Sequence, residues 1–373
     1  MLQGILIGFR LMQSMLLQKR FSQDKIGQDD WVKHGSGDWQ VLLSCYFGHQ
    51  YTQTLKETLG MQMGKTILIT RNGYTSTNTE KEALSKFGNH LVDLVKKDPT
   101  IVASWCSELK KQADIVERVI KDLRKDPFGE RQFKTYVDCL YPYVTPHQAI
   151  KQVVNYLPLP LLEKYMPQFQ EARQYAEKAY EEARVYAYEF ANGFEKETKY
   201  PAKCLLCLTE KEIKNYFKTG KLIPKKKLEE RLKAGAVLFE DGKYFVVSGS
   251  ETDAIEAAMH SHEKKGEISG TSAYPGKVTG IVKIVFKPEE GEKFNEGDIL
   301  VSGNTRPFLL PVMAKSKAIV TEAGGLLSHA AITAREYKKP TIVGAVGVTT
   351  VFKDGDLVEV DATKGIIRKI SKR

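Results

Sequence analysis

Apolar residues in the first half of the chain recur at the three- to four-residue spacing of amphipathic helices. One such stripe follows Asp98-Pro99, which suits a helix start, and continues to about residue 123. Thr145-Pro146 predicts the start of a second helix, and residues 168–192 predict a third. Each stripe is typical of a helix face packed on a core. Residues 1–205 are therefore predicted to form a mostly helical domain.

The pattern then becomes mixed. Thr209-x-x-Glu212 is a capping-box signature at a helix start. Farther on, two apolar runs, 236–239 and 244–247, flank Asp241-Gly242, which is the signal of a β-hairpin. Residues 206–266 are predicted to be a helix plus β-hairpin connector, with a linker at about 266–270.

From residue 267 the chain alternates between short β-branched runs and glycine turns. The predicted fold class is α+β, with a mostly helical N-terminal region followed by a β/β/α domain over 267–373. The predicted strands of this domain are 278–286, 299–302, 317–321, 341–343, 357–360 and 366–370.

Composition limits the class of protein and the cellular location that are expected for the chain. Hydrophobic residues make up 42% of the chain and charged residues 27%, as in ordinary globular proteins. No apolar run approaches the ~18 residues of a membrane span. Residues 1–23, which contain no acidic residue, favour a helix packed on its own domain over a transit peptide. Five cysteines without a secretory signal predict reduced thiols and a cytoplasmic location.

The remaining candidate chemistry is sparse. Cys204-x-x-Cys207 has no second pair at zinc spacing, so no metal site is predicted. The net charge of +10 is spread along the chain without a nucleic-acid-binding motif, so no nucleic-acid partner is expected. The diffuse charge is compatible with phosphorylated ligands or an acidic partner.

One stretch near the C-terminus has the pattern of a strand, a glycine turn and a helix. Residues 318–320 predict the strand, Gly324-Gly325 the turn, and Ser328 the helix cap. His329 then lies in the first helical turn, where free N–H groups and the helix dipole stabilise an added anion. The same dipole favours a neutral, nucleophilic imidazole. Taken alone, such a histidine is also typical of a plain surface or capping residue.

The residues around His329 resemble a known signature. TEAGGLLSHAAITARE at 321–336, followed by KPTIVG at 339–344, is similar to the phosphohistidine segment of the PEP-utilising enzymes. SAYPGKVTG at 272–280, EGDILV at 296–301 and KDGDLVEVD at 353–361 also resemble their swivelling domain, in the same order and spacing. That family includes PEP synthase, pyruvate phosphate dikinase and rifampin phosphotransferase.

The resemblance implies roles for individual residues. His329 would carry the phosphoryl group. Thr321, Gly324, Gly325 and Ser328 would bind or support the phosphate. Arg335 and Arg306 are candidates for docking or for anchoring the helix. Asn304-Thr305-Arg306-Pro307 stands where many relatives have a Thr-Asp-Pro type sequence, so the docking surface is expected to differ.

The resemblance does not extend to a nucleotide-binding domain or to a PEP-binding barrel. Residues 60–66, GMQMGKT, have one residue too few between the glycines for a P-loop, and they precede a predicted strand. The expected partners are therefore an ATP-grasp protein in trans, which would hold ATP and Mg²⁺, and a small-molecule phosphoryl acceptor. Residues 1–205 would be an acceptor-side or docking domain. The alternative is a non-catalytic binding or regulatory module that retains the swivelling fold.

Overall fold

The computed structural model describes residues 18, 21–37, 41–259, 266–303, 309–326 and 328–370. At 43, 44, 159, 288, 329 and 330 it describes the backbone alone. The expectation for an N-terminal helix, and those for Arg306 and for the His329 side chain, lie outside this description. The chain divides into two compact units.

The first unit holds the described residues up to Met259, apart from residues 32–36. It contains eleven of the described helices and a set of antiparallel strands, with one π-helical turn at Gln50–Thr54. In chain order the elements up to residue 123 are α1 Gln23–Ile26, β1 Trp31–Gly37, α2 Val41–His49, α3 Leu55–Leu59, β2 Thr66–Arg71, β3 Tyr74–Glu80, α4 Lys81–Lys97 and α5 Ile101–Leu123. Residues 32–36 of β1 belong to the second unit. The elements that follow are α6 Glu130–Val153, α7 Leu159–Thr198, α8 Ala202–Leu205, α9 Glu210–Thr219, α10 Lys225–Lys233, β4 Ala234–Glu240, β5 Lys243–Ser248 and α11 Ser250–Met259.

Three long helices, α5, α6 and α7, dominate this unit. The predicted stripe on α5 is its buried face and includes Val102, Trp105, Leu109 and Val116. The helix starts at Ile101, three residues after Asp98, whose carboxylate accepts a hydrogen bond from the backbone N–H of Thr100 at 3.0 Å. The predicted helix is confirmed, with its start shifted by two residues from Pro99 to Ile101.

Two helix boundaries were predicted wrongly. Thr145-Pro146 does not start a helix, because both residues lie inside α6, which also contains Pro142. The helix predicted at 168–192 is the middle of α7, which contains Pro167. Proline usually interrupts a helix because it lacks an N–H. Here the flanking residues Tyr143 and Val144 are buried, so packing holds the helix across the prolines.

The mostly helical description of residues 1–205 omits a sheet. Strands β3, β2, β4 and β5 lie in that order and are antiparallel, with Ile67 opposite Leu238. The predicted hairpin is therefore correct, and it shares a sheet with residues 66–80. The capping box at α9 is also confirmed: Thr209 Oγ1 accepts from the N–H of Glu212 at 3.2 Å, and the Glu212 carboxylate accepts from the N–H of Thr209 at 2.9 Å. The division at 205/206 and 266/267 stays a prediction.

The second unit contains the described residues from 266 onward together with residues 32–36. Its strands form one eight-stranded sheet of order β6-β13-β12-β8-β9-β10-β11-β7. The elements are β6 Glu267–Ser269, β7 Thr271–Tyr274, β8 Lys277–Ile284, α12 Pro288–Gly291, β9 Ile299–Ser302, α13 Leu310–Lys315, β10 Ala318–Thr321, α14 His329–Tyr337, β11 Thr341–Val343, α15 Val348–Val351, β12 Leu357–Asp361 and β13 Ile366–Lys369.

The centre of this sheet is parallel and buried on both faces. Strands β8, β9, β10 and β11 pair in parallel, and the outer strands pair antiparallel. Val301 and Val320 enter one core cluster, while Leu300 and Ile319 enter another. Such two-sided burial explains why β9 and β10 read as unbroken apolar runs.

All six predicted strands of this unit are present, and the α+β fold class is confirmed. The predicted linker at 266–270 is wrong, because β6 occupies it and pairs with β13 at Ile268 and Ile367. Two short strands, β6 and β7, were not predicted.

No helix among the described residues is long and apolar enough to cross a membrane.

Candidate functional site

The stretch that contains His329 leaves the sheet at the carboxyl end of β10. Beyond the strand, the N–H of Glu322 donates to Ser302 O and the N–H of Ala323 donates to Gly303 O, each at 2.9 Å. These bonds hold the start of the loop beside the end of β9. In open sheets with parallel strands, ligands bind outside the carboxyl ends of those strands. The loop therefore begins at the edge where a binding site is expected.

The turn itself depends on one glycine. Gly324 has φ +119°, in the region that side chains rarely adopt, while Gly325 does not have a positive φ. A Cβ atom at Gly324 would lie 3.1 Å from both Cβ and Oγ of Ser328. The backbone turns back here, and the N–H of Ser328 donates to Gly325 O at 2.8 Å. Of the two predicted turn glycines, only Gly324 needs to be glycine for its conformation.

Ser328 caps the helix that follows. Its Oγ accepts a hydrogen bond from the N–H of Ala331 at 3.3 Å, and its backbone has the extended conformation of an N-cap. The predicted cap is confirmed. His329 is then the first residue of α14, where the backbone N–H groups of the first turn point out of the helix end. Those groups and the helix dipole favour an anion at this end.

The hydroxyl groups proposed to bind phosphate have different surroundings. Thr321 is fully buried, and its Oγ1 has no hydrogen-bond partner among the residues that the structure describes. That oxygen lies 3.8 Å from the position that a Cβ of Gly324 would take, so it lies under the turn. The Ser328 hydroxyl is already used by the cap. The phosphate-binding roles of Thr321, Gly324, Gly325 and Ser328 stay predictions.

Arg335 contacts the loop from the far end of the same helix. Its Nη1 donates to Leu326 O at 2.8 Å, across nine residues of sequence. Burial lowers the pKa of the Arg335 guanidinium, which remains cationic at neutral pH. Such a contact is expected if Arg335 anchors the loop to the helix. Its role in docking, like that of Arg306, stays a prediction.

Sequence reasoning did not single out Glu322, which is 9% exposed and follows β10 directly. Its Oε1 lies 3.1 Å from Lys33 Nζ, within the second unit, and its Oε2 accepts a hydrogen bond from Thr349 Oγ1. Both charged side chains of the ion pair are 11% exposed. The signal available in the sequence was a carboxylate directly after a buried strand. Its partner Lys33 is 289 residues away, so the pairing itself had no local signal.

The residues that resemble a P-loop have other structural roles. Thr66 begins β2, and Lys65 Nζ makes ion pairs with Glu80 at 2.7 Å and Asp29 at 3.2 Å. The lysine that would contact a phosphate is thus already paired with two carboxylates. The expectation that residues 60–66 do not bind nucleotide stays a prediction.

The five cysteines lie in the interior of the first unit. All five are buried as free thiols, including Cys204 and Cys207. Within the part of the chain that the structure describes, no three His, Cys, Asp or Glu residues are grouped so that they could hold a metal ion.

The second unit is thus a mixed-sheet domain in which a tight glycine turn leads from a buried parallel strand into a capped helix that begins with histidine. This is the arrangement that the sequence resemblance implied. Residues 294–365 match the family model described as "PEP-utilising enzyme, mobile domain". The chain therefore carries the mobile domain of the PEP-utilising enzyme family, and the predicted resemblance is confirmed.

Three curated relatives are similar to part of the chain. The chain is 36% identical over 168 residues to a probable phosphoenolpyruvate synthase of Archaeoglobus fulgidus, covering 43% of this chain and 22% of the relative. It is 38% identical over 136 residues to phosphoenolpyruvate synthase of Pyrococcus furiosus, covering 35% and 17%. It is 40% identical over 122 residues to the uncharacterized phosphotransferase YvkC of Bacillus subtilis, covering 32% and 15%. The chain spans about a fifth of these relatives or less.

Proposed function

We propose that this chain is a phosphotransferase component in which His329 is transiently phosphorylated. The observation that carries the proposal is the placement of His329 as the first residue of α14, behind the Gly324 turn and the Ser328 cap, inside the segment matched by the mobile-domain model. A role in phosphoryl transfer also has support from relatives named as phosphoenolpyruvate synthases and as a phosphotransferase.

The chemistry consists of two in-line substitutions at phosphorus. In the first, a ring nitrogen of neutral His329 attacks the donor phosphate, the P–N bond forms and the bond to the donor's leaving oxygen breaks with its electron pair. In the second, an acceptor oxygen attacks the same phosphorus and the P–N bond breaks, which restores the free imidazole. The covalent intermediate divides one difficult transfer into two easier ones. The helix end would neutralise part of the charge on the carried group.

The proposed donor is ATP held with Mg²⁺ by an ATP-grasp protein in trans. A carrier that meets a donor site and an acceptor site in turn must move between them, as the family description "mobile domain" suggests. The first unit, with its long helices α5 to α7, is the proposed acceptor-side or docking domain. The acceptor is a small molecule.

The test is to incubate the purified chain in extract of its source cells with ATP labelled at the β- or the γ-phosphate. Phosphohistidine is recognised as label that is lost in acid and kept in base. We expect such label on the wild-type chain and none on His329→Ala. The matched control is His90→Gln, because His90 lies in the first unit, where its Nε2 is 2.6 Å from Leu59 O. This variant should label like the wild type, and the labelled phosphate identifies the group transferred.

One outcome would contradict only the proposed donor, and another would contradict the whole proposal. If neither ATP labels the chain but labelled PEP does, the carrier role stands and the ATP-grasp donor is wrong. If no donor labels the chain, in an extract that labels a family enzyme added as a control, the phosphotransferase proposal fails. The alternative, a non-catalytic binding module that keeps the mobile-domain fold, would then be preferred.

A further inference from the structure

Three basic side chains meet in the helical part of the first unit. His147 and Lys151 lie one turn apart on α6, and Arg173 comes from α7. All three are half-buried. Arg173 Nη1 contacts His147 Nε2 directly, and the charge of Arg173 acts on both His147 and Lys151. We call these three residues the basic cluster.

The basic cluster has no carboxylate partner among the described residues. No ion pair of Lys151 or Arg173 is formed there, and Arg173 Nε is buried without a hydrogen-bond partner. On the other side of His147, its Nδ1 lies 3.3 Å from the side-chain amide of Gln148. Glu177, an exposed residue on α7, acts through its charge on the neighbouring Tyr143. Three basic groups are thus gathered without an ion-pair partner among the residues that the structure describes.

Gathering these unpaired basic groups lowers the free energy of unfolding when nothing is bound to them. Burial and the charge of Arg173 lower the pKa of Lys151 to about 7, and burial together with Arg173 and Lys151 lowers the pKa of His147 well below its usual value. Buried charges are normally paired, because removing them from water is unfavourable. Groups that reduce stability in this way are concentrated at functional sites. An anion bound between them would remove the cost.

An apolar pocket adjoins the basic cluster. The rings of Tyr143 and Tyr180 stack on His147, with centroid distances of 5.4 and 6.4 Å. The same two tyrosines line an apolar pocket together with Phe47, Leu140 and Ala179. Three other aromatic residues of α7, Tyr175, Tyr186 and Phe190, are not among its lining residues. Tyr175 is 51% exposed, and the other two are buried in the core.

We propose that the first unit binds a small aromatic molecule that bears an oxyanion, with the anionic group on the basic cluster and the aromatic body in the adjoining pocket. Arg173 would donate hydrogen bonds to the oxyanion from Nε and Nη2, since its Nη1 contacts His147, and Lys151 would supply a point charge. Small-molecule sites of this composition, mostly apolar with a few convergent polar groups, are common between helices. The inference concerns binding alone and does not depend on phosphoryl transfer at His329.

The test is calorimetric titration of the full chain at pH 7 with phenyl phosphate, benzoate, inorganic phosphate and phenol. We expect phenyl phosphate or benzoate to bind at least about tenfold more tightly than inorganic phosphate or phenol, since a charge-assisted hydrogen bond or a buried ring is each worth about that factor. The tighter of the two aromatic anions identifies the oxyanion as phosphate or carboxylate. Equal affinity for inorganic phosphate and phenyl phosphate would overturn the role of the pocket.

Variants locate the site. Arg173→Gln and Lys151→Met should each weaken binding of the aromatic anion about tenfold or more. The matched control is Lys178→Gln, which removes the same charge from α7 at a residue that is 72% exposed and paired with Glu117 at 2.8 Å. It should bind like the wild type. If Lys178→Gln weakens binding as much as Arg173→Gln, or if both cluster variants bind normally, the proposed site is wrong.

The melting temperature is a second readout. A purely structural role of Lys151 would change it in the opposite direction from the role proposed here. A lysine whose folded pKa is lowered destabilises the fold below that pKa, and the penalty is relieved as pH rises toward the unfolded value of about 10.4. Without ligand, Lys151→Met should therefore melt at a higher temperature than the wild type at pH 7, and this difference should vanish near pH 10.5, followed by far-UV circular dichroism. A lower melting temperature at pH 7 would mean that Lys151 stabilises the helices, and would overturn the proposal.

Discussion

At the scale of single residues, the candidate site depends most on Gly324. Its φ of +119° is costly for any other residue, and a side chain there would press on Ser328 Cβ and Oγ at 3.1 Å. Ser328 is the residue that caps α14. A single substitution at Gly324 therefore acts on both the turn and the helix start, although neither Gly324 nor Ser328 carries the transferred group.

We predict that Gly324→Ala destabilises the second unit by about 1–3 kcal/mol and disrupts the Ser328 cap. The matched control is Gly297→Ala. Gly297 also has a positive φ, +87°, but no atom lies within 4 Å of its Cβ position, so this variant reports backbone strain alone. The measurement is hydrogen exchange at the Ala331 amide, which the cap protects. Exchange should accelerate in Gly324→Ala only; equal acceleration in both variants would contradict the proposed contact with Ser328.

The sequence predicts the role of a residue when the cause of that role lies within a few positions along the chain. A cap and a turn glycine lie within a few positions of the helix they serve, so Ser328 and Gly324 could be chosen from the pattern. The ion pair of Glu322 with Lys33 joins residues 289 positions apart, and the Thr321 hydroxyl, buried under the turn, lacks a hydrogen-bond partner in the described part of the chain. Neither has a periodic signal.

At the scale of elements, apolar strands were easier to predict than helix ends. The runs at β9 and β10 are short, fully buried and bounded by turns, and the structure places them as expected. The start of α6 was missed because a local rule, that Pro146 opens a helix, is overridden by burial of the surrounding face. Strand β2 pairs with β4, from about 170 residues later in the chain, and periodicity alone does not reveal such pairing.

Helix α14 and the glycine loop are linked by Arg335, which leads to a second prediction. Arg335→Gln removes the charged donor to Leu326 O, a bond of the class worth about 1.5–3 kcal/mol. The loop should loosen, so the Ser328 amide, which donates to Gly325 O, should exchange faster, and phosphoryl label on His329 should fall about tenfold.

The matched control for that variant is Lys338→Gln, at an exposed residue directly after the same helix. It should change neither the exchange of the Ser328 amide nor the label. If Arg335→Gln lowers the label while Ser328 stays protected, Arg335 acts on a partner rather than on the loop. The anchoring role would then be abandoned in favour of the docking role.

At the scale of the whole molecule, the two compact units have separate cores and separate roles in the proposed mechanism. The phosphoryl carrier belongs to the second unit, and the basic cluster with its pocket belongs to the first. Each unit can therefore be probed by groups that the other lacks. All five cysteines fall between residues 45 and 207, in the first unit, and none follows residue 265.

The buried thiols give a prediction about that first unit. Burial raises the pKa of Cys106 to about 11 and those of Cys139 and Cys207 to about 12, and also raises those of Cys45 and Cys204. The reactive species is the thiolate, so at pH 8 the native thiols of Cys106, Cys139 and Cys207 should react with iodoacetamide at least about a hundredfold more slowly than a free cysteine of pKa ~8.5. Mass spectrometry of the intact chain counts the modified thiols.

On unfolding in urea, the five thiols should become reactive together, because they lie in the helices and loops of one compact unit, and the loss of helical circular dichroism should follow the same curve. Amide protection of β9 and β10 in the second unit should be lost at its own urea concentration. If one thiol, such as Cys204, reacts in the native chain, that part of the first unit opens locally. If the thiols and the β9–β10 amides respond at a single midpoint, the two units unfold as one cooperative body.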